Sequence, residues 1–308
     1  MGDLLAIVLP VFLVVGAGYV AVWRGLFKDS AVDGLMSFTQ KFAIPCLLFT
    51  AIATLDISAE FNLWLLAAYF GGAVACFILG IFGARWLFAR PWPDCIAMGF
   101  TAMLANTVLL GLPVTERAFG VEALGPNYAI ILFNAGVCYL IGITTMEIVL
   151  ANERGGRLVT TVVKAMFQNS LMIGIGAGFI VNVTGIPVPT VAQDALDLMI
   201  RAALPAALFG LGGVLYRYKP EGDVGAIAML CVLTLAIHPA ITWTIGTLGG
   251  LSTGQMRSAV ITAAMAPGIN TYIFADMYGV ARRVVASTVL IGTALTVIGA
   301  SVWLLVLP

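Results

Sequence analysis

The 308 residues are 61% hydrophobic and only 10% charged, with a mean hydropathy of +1.05 and a formal net charge of zero. A soluble domain of this size is about half apolar and about a quarter charged, so the composition excludes an ordinary water-soluble fold. Zero net charge also excludes a nucleic-acid binder, which needs a basic footprint.

Ten apolar segments of about 20 residues each follow one another, enough for ten membrane crossings. They run roughly over 4–23, 32–55, 62–85, 95–119, 123–149, 160–183, 191–216, 224–248, 255–279 and 283–306. The first, Leu4–Trp23, has no basic leader and no A-x-A-like cleavage site, so it is expected to be a transmembrane helix rather than a removed signal. The connections are short and none has the composition of a linker, so residues 1–308 are expected to form a single membrane domain.

Lysine and arginine are distributed unevenly between the two sets of connections. Arg24, Lys28, Arg85, Arg90, Arg154, Arg157, Lys164, Arg217, Lys219, Arg282 and Arg283 flank odd-numbered connections, against only Arg117 and Arg257 near the even-numbered ones. This bias of eleven to two places the odd-numbered connections in the cytoplasm and both termini outside.

An internal repeat runs at an offset of 160 residues. Gly16-Ala17-Gly18 aligns with Gly176-Ala177-Gly178, Gly25 with Gly185, and Leu48-Phe49 with Leu208-Phe209. Lys41 through Pro45 aligns with Arg201 through Pro205, a cation four residues before a proline in both copies. A repeat of five spans must be inverted across the membrane, so repeat one (about 1–151) and repeat two (about 158–308) are expected to be antiparallel. Inverted repeats of this kind typify secondary transporters.

Spans four and nine are interrupted. The first, Ala97–Gly120, holds Asn106 and then Gly111-Leu112-Pro113; the second, Arg257–Gly279, holds Pro267-Gly268 and then Asn270. Broken backbone at membrane depth survives only inside protein or facing a wet cavity, and paired discontinuous helices mark a transporter's binding site. The expected substrate-binding set is therefore Asn106, Thr107, Gly111 and Pro113 with Pro267, Gly268, Asn270 and Thr271. An amide offers two donors and an acceptor without charge, which suits a carboxylate or a coordinating cation; freed helix N-termini attract anions and freed C-terminal carbonyls attract cations. The plainer alternative is that each asparagine only ties two helices together.

Four further residues are candidates for gating or ion coupling: Lys41, Arg201, His238 and Asp276. A mid-span cation is costly, so it faces protein or water unless it snorkels to the interface, and for Lys41 and Arg201 both readings stay open. His238, the only histidine, is either a neutral hydrogen-bonded side chain or a proton relay. Asn134, Tyr139 and Thr144 in span five could line the same cavity as the breaks. The five cysteines (Cys46, Cys76, Cys95, Cys138 and Cys231) are scattered singly in apolar runs, so neither a metal site nor a disulfide framework is expected. There is no phosphate loop, HExxH motif or nucleophilic triad, so no catalytic residues and no enzyme activity are expected.

The stretches Pro10–Ile52, Asn106 to Pro113 and Met265–Leu295 resemble the auxin efflux carrier family, whose bacterial members include malonate and related carboxylate transporters. The resemblance implies an all-α polytopic fold of ten helices in two inverted five-helix repeats. Helices four and nine would unwind at prolines and cross, and a scaffold of helices one, two, six and seven would flank a mobile domain. By position, Asn106 and Pro113 match the first crossover, and Pro267 and Asn270 the second. Pro113 follows its asparagine by seven residues whereas Pro267 precedes its own by three, so the two breaks are not strictly symmetric. The long cytoplasmic loop of many plant members is replaced by the short Asn152–Val159 connection.

The expected function is that of a secondary transporter in a bacterial cytoplasmic (inner) membrane. It would move a small organic anion, a mono- or dicarboxylate such as malonate, by alternating access. The alternative is a non-transporting sensor or scaffold of the same fold. The lipid bilayer is the expected surrounding partner and no cofactor is implied. A homodimer, and coupling to H+ or Na+, are left open.

Overall fold

The computed structural model describes residues 2–55, 62–150 and 170–307, with side chains from Ala6 onward. The described residues are almost wholly helical. In chain order the elements are α1 (Gly2–Trp23), α2 (Asp29–Phe38), α3 (Ile44–Ala53), α4 (Leu63–Phe88), α5 (Trp92–Met103), α6 (Leu112–Phe119) and α7 (Gly125–Leu150). They continue with α8 (Ser170–Thr184), α9 (Thr190–Arg217), α10 (Val224–Val232), α11 (His238–Leu248), α12 (Thr253–Ala263), α13 (Ile269–Tyr278) and α14 (Arg282–Val306).

Seven continuous stretches among the described residues are long and apolar enough to cross a bilayer: Ala6–Trp23, Asp29–Ala53, Leu63–Phe88, Val121–Leu150, Thr190–Arg217, Val224–Leu248 and Arg282–Val306. They correspond to the expected spans one, two, three, five, seven, eight and ten. Span six is described from Ser170; its expected start at 160–169, the 151–158 repeat boundary, and Arg154, Arg157 and Lys164 lie outside the described residues. Spans four and nine are each divided into two shorter helices, α5 with α6 and α12 with α13.

Proline leaves a regular signature along these helices. Five-residue π turns at Thr39–Ala43, Thr107–Gly111 and Leu233–Ile237 each stop just before an X-Pro pair, ending in Pro45, Pro113 and Pro239. Proline lacks an N–H and its ring clashes with the carbonyl four residues back, and a local switch to the wider π geometry relieves that clash. A carbonyl freed in this way needs another donor in a membrane. The Leu235 carbonyl, four residues before Pro239, accepts from Trp303 Nε1 at 2.9 Å. Pro205 lies inside the single α-helix α9, with no π turn before it.

The helices group into two compact units. One comprises Val11–Glu60 and Val159–Arg217, the helices of spans one, two, six and seven; the other comprises Met1–Pro10, Phe61–Leu158 and Tyr218–Pro308.

The first of these, the four-helix unit, is held by close backbone approach. A Cβ at Gly18 would overlap the Phe209 carbonyl, and one at Gly178 would overlap the Phe49 carbonyl. Without a hydrophobic driving force between helices in lipid, such small-residue contacts gain dispersion energy that larger residues would forfeit. Asn182 Nδ2 caps the end of α3, donating to the carbonyls of Ile52, Ala53 and Leu55 at 3.0, 3.2 and 2.7 Å. Arg217 closes the other end on Asp29 and Asp33, at 2.7 Å to each.

In the larger unit, α4 packs along α5 and α11, with Gly80 and Gly99 meeting backbone to backbone. Leu65, Tyr69, Ala129, Ile130, Ala259 and Ala263 form a buried cluster from α4, α7 and α12. Phe100 of α5 stacks on Phe274 of α13 at 4.1 Å between ring centroids, and Gly142 of α7 leaves room for the Phe100 ring. The first half of span four is thus packed against the second half of span nine.

The crossing of two broken helices

Both breaks lie in the larger unit and pair with each other. Ala105 and Pro267 face one another in an antiparallel bridge. Asn106 N–H donates to the Ala266 carbonyl at 2.8 Å, and Gly268 N–H donates to the Leu104 carbonyl at 3.1 Å. Two helix ends that would otherwise carry orphan backbone groups satisfy each other in this way. Pro267 stands at the bridge position that neither bond uses, so its missing N–H takes nothing from the pairing.

The opening of span four differs from its expected place. Helix α5 ends at Met103 and the extended backbone is Leu104–Asn106, whereas Pro113 sits in the first turn of α6, beyond the π turn. A proline at the start of a helix costs little, because its N–H would be unpaired there in any case. Span four therefore opens where it pairs with span nine rather than at its proline. In span nine the break at 264–268 does include Pro267-Gly268, as expected.

Asn106 is 6% exposed and caps the helical segment that follows it. Its Oδ1 accepts from Leu109 N–H at 3.2 Å, which fixes the amide orientation and leaves Nδ2 as a buried donor with no partner among the described residues. Thr107 is buried beside it, and Thr271 Oγ1 donates to the Gly268 carbonyl at 2.8 Å. A Cβ on Gly268 would lie 3.7 Å from Asn106 Cα, in ordinary contact, so the two breaks run side by side here. Gly111 faces the Asn106 carbonyl, and Asn270 is half-buried on the first turn of α13. That turn begins at Gly268 with no side-chain cap among the described residues; the Gly268 and Thr271 N–H groups are bonded to the Leu104 and Gly268 carbonyls, which leaves those of Ile269 and Asn270 for a ligand.

Other polar side chains converge here. Thr296 of α14 accepts from Ala266 N–H at 3.2 Å and so satisfies the break of span nine from outside it. Asn134 Nδ2 donates to Thr107 Oγ1 at 3.3 Å while its Oδ1 accepts from Tyr69 Oη at 3.4 Å. Asn127 joins Thr115 and Thr262 at 3.2 and 2.7 Å, with its Oδ1 buried and without a partner among the described residues. Tyr69, Thr115, Asn127, Thr262 and Thr296 were not legible as site residues. One available signal was that Asn127 and Asn134 are seven residues apart, on one face of span five.

The remaining candidates lie elsewhere. His238 is fully buried, and its Nε2–H donates to the Tyr69 carbonyl at 3.2 Å; Nδ1 has no partner among the described residues. Its ring lies 5.1 Å from that of Tyr69, so it reaches the crossing only through that residue and Asn134. Asp276 is exposed and paired with Arg282 at 3.1 Å, two turns beyond Asn270. Lys41 and Arg201 belong to the four-helix unit and are exposed.

Long apolar helices around a pair of mutually bridged helix breaks define an integral membrane protein with a polar centre built from backbone and amides. The profile of the membrane transport protein family matches residues 4–160 and 156–304, and the chain belongs to that family, which includes the auxin efflux carriers. A protein of Rhizobium meliloti (strain 1021) described as "Putative malonate transporter" is 22% identical over 96% of this chain and 93% of its own length. A transporter of Methanothermobacter thermautotrophicus is 25% identical over 97% of both chains. The auxin efflux carrier component 5 of Arabidopsis thaliana is 22% identical over 92% of this chain and 90% of its own. The chain is a membrane transport protein, and these three relatives are described as transporters or carriers, not as enzymes.

Proposed function

We propose that this protein is a secondary transporter that carries a small organic anion, a mono- or dicarboxylate such as malonate, by alternating access. The observation that carries the reading is the crossing itself: a buried amide donor, Asn106 Nδ2, without a partner among the described residues, beside a helix start at Gly268 that no described side chain caps. A site of donors into which no described acidic side chain is bonded favours a carboxylate over a cation. The substrate-binding residues are Asn106, Thr107, Gly111 and Pro113 with Pro267, Gly268, Asn270 and Thr271. Lys41, Arg201, His238 and Asp276 act in gating or coupling, and the coupling ion is H+ or Na+. The name of the Rhizobium meliloti relative agrees with malonate as the first substrate to try.

In this reading the ten helices form two inverted repeats of five within one membrane domain. Two contacts support it: adding 160 to Gly18 and subtracting 160 from Phe209 gives Gly178 and Phe49, so these two close glycine contacts of the four-helix unit are one contact made twice. The protein sits in the cytoplasmic membrane of a bacterium with both termini outside, and two copies form the dimer. The test is uptake of labelled malonate and other small carboxylates into liposomes containing purified protein, with and without sodium or proton gradients. Substrate-specific flux above that of empty liposomes is expected. Specific binding without vectorial movement would refute the proposal.

A further inference from the structure

We infer that Asn134 and, behind it, Tyr69 are positioning residues that hold the Thr107 hydroxyl as a hydrogen-bond donor to the substrate. The inference rests on the carboxylate-transport reading above and adds how the site is kept fit for a ligand that only accepts.

Four buried side chains from three parts of the larger unit make one chain of hydrogen bonds. Tyr69 lies on α4, Asn134 and Cys138 lie one turn apart on α7, and Thr107 opens the π turn after the break in span four. Tyr69 Oη–H donates to Asn134 Oδ1 at 3.4 Å, and Cys138 Sγ–H reaches the same oxygen at 3.6 Å. On its other side Asn134 Nδ2 donates to Thr107 Oγ1 at 3.3 Å.

The chain has a direction. An amide has nearly the same shape either way round, so its neighbours decide which end faces which. Tyr69 and Cys138 each carry one hydrogen, and among the described residues neither has another acceptor for it. Turning the amide over would aim Nδ2 at both of them and leave two buried donors unmatched, which is costly, more so for the phenol than for the weakly donating thiol. Oδ1 therefore faces Tyr69, and Nδ2 faces Thr107.

With an N–H aimed at its oxygen, the Thr107 hydroxyl must turn its own hydrogen toward some other acceptor. A threonine within a helix bonds the carbonyl four residues back, as Thr101, Thr293 and Thr296 do here. For Thr107 that residue is Met103, the last of α5, and the extended backbone of the break lies between them. Among the described residues no acceptor meets the Thr107 hydrogen. The preceding residue is in the same state, since Asn106 Nδ2 is also a buried donor without a described partner. Two consecutive residues at the break thus each offer a donor and lack an acceptor. A carboxylate, which accepts and cannot donate, satisfies such groups, and Asn134 keeps Thr107 from turning round to accept instead.

The experiment measures equilibrium binding of radiolabelled malonate, succinate and pyruvate to the purified protein, and follows whichever the wild type holds tightest. Thr107→Val removes the donor and is expected to weaken binding roughly tenfold. Asn134→Leu frees the hydroxyl to turn and is expected to weaken it roughly tenfold as well. Because both act through one hydroxyl, the double variant should also lose about tenfold, where independent contributions would multiply to about a hundredfold. Tyr69→Phe should weaken binding about threefold alone and add nothing in the Thr107→Val background. Thr107→Ser, which keeps the hydroxyl, should recover most of what Thr107→Val loses. Losses that multiply in the Asn134→Leu, Thr107→Val double variant would put Asn134 on the substrate itself and overturn the inference. Wild-type affinity in Thr107→Val, Asn134→Leu or Tyr69→Phe would overturn it too, as would a Ser variant as weak as Val. A purely structural Asn134 would show itself as a lower unfolding temperature with affinity unchanged. If Asn134→Leu does not fold, Tyr69→Phe decides: the same loss with and without Thr107→Val, or no loss in either, overturns the inference. In all these cases the transport reading stands. A wild type that binds none of the three carboxylates would instead remove that reading and this inference with it.

Discussion

Asn106 does two jobs through two atoms, and they can be separated. Oδ1 caps the segment after the break by accepting from Leu109 N–H at 3.2 Å, while Nδ2 stays buried without a partner among the described residues. Asn106→Ala removes both. Loss of the cap should lower stability by about 1 kcal/mol. Loss of the donor leaves a substrate oxygen unpaired, which should cost about 1–3 kcal/mol, a five- to over a hundredfold weaker affinity. Asn106→Ser keeps a capping oxygen of similar strength but cannot extend an amide donor to the same place. Ser should therefore restore stability to within a few tenths of a kcal/mol of the wild type while leaving affinity as poor as in Ala. The measurements are thermal unfolding of purified protein and carboxylate binding and flux in liposomes, taken on the same preparations. If Ser recovers affinity together with stability, Asn106 is only a cap and the reasoning fails. Wild-type affinity in both variants would remove the substrate from this asparagine altogether.

Other outcomes follow from the same geometry. Pro267→Ala adds an N–H to the break without disturbing the two bridge bonds, so it should abolish flux while leaving folding intact or improved; normal flux would count against a working role for the interruption. Thr296→Val removes the acceptor for Ala266 N–H in a buried place and should lower stability by about 1–3 kcal/mol, measured as a drop in unfolding temperature. Gly18→Ala and Gly178→Ala drive a methyl group into the facing carbonyls and should destabilise by similar amounts, roughly 1–3 kcal/mol each; a large effect at one site alone would break the proposed equivalence of the repeats. Single cysteines at Lys219 and Gly250, on a cysteine-free background, should label only from the cytoplasm and only from outside respectively, and labelling from one common side would invert the topology argument.

Much of this molecule is legible in one dimension. Helices of membrane length follow from apolar runs that must satisfy their backbone internally, and their observed ends lie within a few residues of the expected ones. The offset of 160 residues was readable because close contacts demand glycine, and Gly18 and Gly178 prove to be such contacts. The grouping of spans one, two, six and seven came only with the family resemblance, since no local property of a helix says which neighbours it joins.

Asn106, Pro267 and Gly268 could be singled out as a site because amides, proline and glycine stand out in apolar sequence. Where span four opens could not be read in the same way. Its extended residues, Leu104, Ala105 and Asn106, contain no breaker, and Pro113 fits the start of a helix as well as it fits an interruption. The opening is set by the Ala266 and Leu104 carbonyls, each bonded across the crossing to the other chain segment. The partners of Asn127, Asn134 and Thr296 were hidden for the same reason: a hydrogen bond between residues 135, 65 or 30 positions apart leaves no local trace. The sequence by itself determined which segments enter the membrane and which of them cannot remain continuous helices, because hydropathy and backbone chemistry act locally. Only the tertiary structure decided where the continuity breaks and which polar atom is left free, because those depend on which distant groups supply the missing hydrogen bonds.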